Sequence, residues 1–158
     1  MLTAGMKQYI KQIYLLSDGD DQIPPVLLAN ALGIGPSSVS RMARKLSHHG
    51  VIENKHYGKI YLTEEGKQLG QTLVRQHEVL KQFLEIIGIK EPHILKELEE
   101  IEFNVSACVI ERINMLNQYF SQDQSRVQTF YQFVITGVTG SNGPTGVTGV
   151  TGATGDNG

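Results

Sequence analysis

Tryptophan is absent from this 158-residue chain and cysteine occurs once, at Cys108. A single cysteine excludes an internal disulfide framework and any multi-cysteine zinc or iron–sulfur site. No apolar run approaches the roughly 18 residues that a membrane span requires. Polar residues interrupt the apolar ones at the N-terminus, MLTAGMKQYIKQIY, so it does not read as a signal peptide. No charge of one sign dominates either. Fourteen Lys and Arg stand against 16 Asp and Glu, and a net charge of −2 argues neither for nor against a polyanionic partner. No Ser/His/Asp constellation, nucleotide-binding glycine loop or paired-carboxylate spacing stands out, which leaves no case for an enzyme. The expectation is a cytoplasmic protein of about one domain's length, with 40% apolar residues to build a core.

The near-neutral total hides a split. Residues 24–63 carry Arg41, Arg44, Lys45, Lys55 and Lys59 against one acid, Glu53; residues 71–125 carry five cations against nine acids. A basic segment followed by an acidic one suggests two tasks on one chain, of which only the first suits phosphate. Apolar residues recur at helical spacing in 6–16, and a second helix starts near Pro24-Pro25 and ends at Gly33. Pro36-Ser37-Ser38 opens a third helix with Val39, Met42, Ala43 and Leu46 as its inward stripe. Two strand-like pieces, Val51–Asn54 and Lys59–Thr63, flank a turn at 55–58. A long helix capped by Thr63 runs to Gly88, and two more helices cover about 91–102 and 106–120.

This order is that of a winged helix-turn-helix: the third helix enters the major groove and the hairpin wing rests on the backbone. The inward stripe leaves Ser37, Ser38, Ser40, Arg41, Arg44 and Lys45 on other faces. Small hydroxyls permit close approach to double-stranded DNA. Arg41 suits a guanine edge or a phosphate, and Arg44 and Lys45 suit the backbone. Lys55, Tyr57 and Lys59 of the wing complete the expected DNA-binding set. Cys108 is expected to be a buried small apolar residue, and His48 and His49 to lie on the surface.

From Gly137 glycine recurs at every third position to Gly158. Period three is the collagen signature, yet Pro144 is the only proline in these triplets. The tail is therefore expected to be disordered in isolation, and a tail-mediated trimer is not expected. Its Gly-Val-Thr triplets are similar to the collagen-like stalks of bacterial spore surface proteins. That leaves a second reading, a structural or assembly protein that trimerises through the tail.

The runs Met6-x-x-Tyr-Ile-x-Gln-Ile-Tyr14, Gly35-Pro-Ser-Ser-Val-Ser40, Leu62-Thr-x-x-Gly-Lys67 and Arg75-x-His-Glu-x-Leu-x-x-Phe-Leu84 resemble the DtxR family of metal-dependent transcriptional repressors. The likeness covers residues 5–123 and is greatest to the manganese-responsive branch, the manganese transport regulators. It implies a mainly α fold and a homodimer, with a winged helix-turn-helix DNA-binding domain at 1–70. A helical dimerisation and metal-site domain at 71–124, a linker at 125–136 and the collagen-like tail at 137–158 would follow. It also implies a metal site between the halves, for which His77, Glu99 and Glu102 stand at matching positions. The other ligand positions hold Gln8, Lys11 and Phe103. Gln8 offers a neutral oxygen, Lys11 brings positive charge and Phe103 offers nothing. The resemblance thus implies a repressor linked to manganese homeostasis whose Mn2+ site is weak or lost. Lys11 is further expected to pair with Glu99 or Glu102 in place of the ion.

Overall fold

The computed structural model describes residues 1–17, 22–54 and 58–139. Among them the order is α1 (Ala4–Leu16), α2 (Pro25–Leu32), α3 (Pro36–His48), β1 (Ile52–Asn54), β2 (Ile60–Leu62), α4 (Glu64–Ile86), α5 (His93–Ile101), α6 (Ala107–Ser121) and α7 (Gln124–Thr139). The fold is mainly α, as the sequence implies. No described helix is long and apolar enough to cross a membrane.

Side-chain caps and glycine set several of the boundaries. The Thr3 hydroxyl accepts from the Met6 amide and starts α1, which turns Met6, Ile10, Lys11 and Ile13 inward. Gly33 stops α2 at φ +64°, the left-handed conformation that glycine adopts without steric cost. Val39, Ala43 and Leu46 bury one stripe of α3. The strands pair antiparallel as Ile52 with Leu62, Glu53 with Tyr61 and Asn54 with Ile60. They are shorter than the sequence suggests because Thr63 serves the next helix. Its hydroxyl accepts from the Gly66 amide at 3.1 Å and donates to the Gly50 carbonyl at 2.7 Å.

Two cores result, and α4 runs through both. The first gathers Ile10, Ile13, Leu28, Val39, Leu46, Ile52 and Ile60 with Leu73 of α4. The second gathers Val79, Leu80 and Leu84 of α4 with Ile94, Leu98 and Ile110. Gly66 and Gly70, one turn apart on α4, allow the helix to lie directly on the first core. A Cβ at Gly66 would meet the Val51 carbonyl oxygen at 1.9 Å, and one at Gly70 would meet Tyr14 Cβ at 2.5 Å.

Two expectations are corrected. Residues 125–136 are helix rather than linker, since α7 runs through them and on to Thr139. Asp123 accepts from the Ser125 amide at 2.9 Å where the helix begins. The Tyr131 hydroxyl then donates to the Glu85 carbonyl at 3.1 Å, and Phe130 meets Phe120 edge-on at 6.0 Å between ring centres. Cys108 is exposed rather than buried. It occupies the first turn of α6, off the stripe that carries Ile110 and Asn117 inward. The tail beyond Thr139 lies outside the described residues.

Candidate functional site

Two groups of charged side chains stand out, one exposed and one buried. The first is on α3. Ser37, Ser38, Ser40, Arg41, Arg44 and Lys45 are all exposed, while Val39, Ala43 and Leu46 anchor the opposite stripe. Among the described residues, Arg41 and Lys45 have no side-chain partner. Arg44 Nε donates only to the Ser40 carbonyl of its own helix, at 3.4 Å. A groove of about 410 Å³ runs between α3 and the wing, lined by Pro25, Ser40, Arg44, Gly58 and Ile60 among others. Lys59 borders the wing and donates to Gln22 Oε1 at 2.8 Å. Lys55 and Tyr57 lie outside the described residues. His48 and His49 are on the surface, as expected.

The second group is buried and joins α1 to the helical half. Lys11 points inward from α1 and Glu102 follows the last turn of α5; they are 7% and 4% exposed. Lys11 Nζ donates to Glu102 Oε1 at 2.6 Å. His77, midway along α4, places Nδ1 at 2.5 Å from Glu102 Oε2 and 3.4 Å from Lys11 Nζ. An ionised carboxylate only accepts, so Nδ1 carries the proton and donates to Glu102. Burial pushes the Glu102 carboxyl up. The hydrogen bonds from His77 and Lys11, and their charge, outweigh this and hold it below the ordinary glutamate value.

The partner of Lys11 is therefore Glu102, not Glu99. Glu99 is exposed and borders an adjoining cavity of about 310 Å³ together with Ala4, Gly5, Gln8, Glu102 and Phe103. Nor is Phe103 inert. Its ring packs against the first core, its centre lies 5.4 Å from Lys11 Nζ, and its carbonyl accepts from Lys7 Nζ at 3.3 Å. Gln76 was not anticipated at all. Its amide donates to the carbonyls of Glu102 and Val105, at 3.0 and 3.1 Å, and pins the turn after α5 onto α4. The sequence names His77 and Glu102 for this place and pairs Lys11 with Glu99 or Glu102; it gives no sign of Gln76.

Comparison with known proteins places this architecture. Residues 1–60 match the N-terminal DNA-binding domain of the iron-dependent repressors, and residues 63–129 match their metal-binding and dimerisation domain. The chain belongs to the iron-dependent repressor (DtxR) family. Among solved structures, this repressor-family chain is similar to the manganese regulator SloR, with 28% identity and a TM-score of 0.65 over 75% of this chain and 55% of that one. A manganese-dependent transcriptional repressor in complex with manganese gives 27% identity and 0.63 over 72% and 53%. The chain thus spans about half the length of these relatives. The hypothetical protein SSo2273 from Sulfolobus solfataricus shares the fold, at 20% identity and 0.58, over 92% of its own length.

The described side chains at this place are engaged with one another. Among the described residues no group of three or more His, Cys, Asp or Glu side chains is placed to hold a metal. Both Glu102 oxygens are engaged, one by the Lys11 ammonium and one by His77, whose Nδ1 carries a proton in place of a lone pair.

Proposed function

We propose that this chain is a dimeric, double-stranded-DNA-binding transcriptional repressor of the DtxR type, linked to manganese homeostasis but with a degenerate metal site. The observation that carries the reading is the exposed face of α3, where Arg41, Arg44 and Lys45 stand without acidic partners beside the wing. A helix held by a buried stripe and presenting cations and small hydroxyls suits a groove edged with phosphate. Similarity to two regulators described by manganese supports the choice of target genes. Val109, Met115, Leu116 and Tyr119 leave an apolar surface exposed on α6, inside the segment that matches a dimerisation domain, which supports a two-fold partner.

The test is a salt titration of duplex binding by fluorescence anisotropy. Replacing Arg44 and Lys45 together by alanine removes two phosphate contacts. The slope of log affinity against log salt should fall by about two, with weaker binding to every sequence. An unchanged slope and affinity would refute the assigned face.

A further inference from the structure

We infer that Lys11 is a tethered substitute for the divalent ion, so that the chain itself sets the arrangement of the DNA-binding half on the helical half whatever the metal supply. This deepens the proposed repressor function and rests on it. The ammonium touches two of the three side chains that resemblance assigns to the metal, at 2.6 Å from Glu102 Oε1 and 3.4 Å from His77 Nδ1. It approaches from α1, which carries the ligand positions held here by Gln8 and Lys11. One lysine and one ionised glutamate cancel, whereas a hard divalent ion needs several anionic oxygens to offset its dehydration. The third ligand, Glu99, faces solvent.

The surroundings have been rebuilt to match. Phe103 occupies another of the ligand positions; its ring packs on the N-terminal core and near the ammonium. Lys7 adds a second tie from α1, to the Phe103 carbonyl, and Gln76 fastens the same turn to α4. A dissociable effector shifts a population only while it is bound, in proportion to its concentration. A cation attached to α1 is always present. Its grip is intramolecular, and no dissociable metal ion titrates it.

The experiment uses the full chain and a labelled duplex recovered by selection from random sequence. Affinity in EDTA and in 1 mM MnCl2 should agree within about twofold. Lys11→Met should weaken binding in EDTA by at least about tenfold, and Lys11→Arg, which keeps the charge, should restore most of it. The triple change Gln8→Asp, Lys11→Glu, Phe103→His should make binding depend on Mn2+. A wild-type chain that binds only with Mn2+, or a folded Lys11→Met that binds like wild type in EDTA, overturns the inference. If wild type binds no duplex in either buffer, the repressor reading fails instead. The substitution is then read from thermal unfolding: a midpoint indifferent to Mn2+ supports it, and one raised by Mn2+ overturns it.

Discussion

The cations of α3 and the cation of α1 are the same chemistry in opposite surroundings. Arg41, Arg44 and Lys45 stand in water, without acidic partners, and hold nothing together. Lys11 is 7% exposed, bonded to a carboxylate that is 4% exposed. Keeping a charge in water costs the fold almost nothing and leaves it available to a polyanion. Burying one requires a fixed partner, since desolvation is repaid only by good geometry and further hydrogen bonds. On the proposed function, binding of outside partners falls to the loosely held charges, while the tightly held ones serve the architecture.

The sharpest way to break this comparison is to remove one buried partner. Glu102→Leu strands the Lys11 ammonium against a histidine and a phenylalanine ring, and should cost about 3–5 kcal/mol in urea unfolding. Adding Lys11→Met should recover most of that loss, because a charge-free pair of similar volume is close to neutral. Strict additivity of the two changes would show that they do not form one unit.

A pH titration probes the same pair more gently. The folded Glu102 carboxyl is held below its ordinary value. Its contribution is thus complete above the unfolded glutamate range and drains away as pH falls through the lowered folded value. Thermal midpoints should decline over that acid window in wild type and decline less in Lys11→Met/Glu102→Leu. Parallel curves would remove Glu102 from the acid response.

Much of the first half is legible in the sequence because local signals there agree. The Val39, Ala43, Leu46 stripe, the stop at Gly33 and the Thr63 cap each depend on neighbours a few residues away. The buried pair is only half legible. Helical spacing places Lys11 about 100° from Ile10, off the line of Met6, Ile10 and Ile13, so its burial is not legible from α1 alone. The choice of Glu102 over Glu99 depends on where α5 ends, and contacts 91 residues apart leave no periodic trace. The residue type of Cys108 favours burial, while its place on α6, off the stripe of Ile110 and Asn117, leaves it in solvent. In 125–136 the change to Gly-x-y triplets drew the boundary too early. The aromatic residues Phe130 and Tyr131 were the available signal for a packed helix.

That helix supplies a smaller effect. Tyr131→Phe removes the hydroxyl that donates to the Glu85 carbonyl and keeps the ring, so unfolding should cost about 1 kcal/mol less. Truncation after Gln124, which also removes the contact between Phe130 and Phe120, should cost more than that. Equal stability of the truncated and full chains would return 125–136 to the role of a linker.

The smallest effect expected is the one that completes the contrast. Arg44→Ala with Lys45→Ala alters two exposed side chains on a helix whose packing is done by Val39, Ala43 and Leu46. Surface changes of this kind fall within about 0.5 kcal/mol, and alanine's helix propensity is at least as good as that of the residues replaced. Arg44 gives up one long hydrogen bond to the Ser40 carbonyl, made in solvent. Urea midpoint and slope should therefore match wild type while duplex binding weakens. A loss of more than 1 kcal/mol would mean that these cations also support the fold, and that the division between exposed and buried charge is less clean than their surroundings indicate.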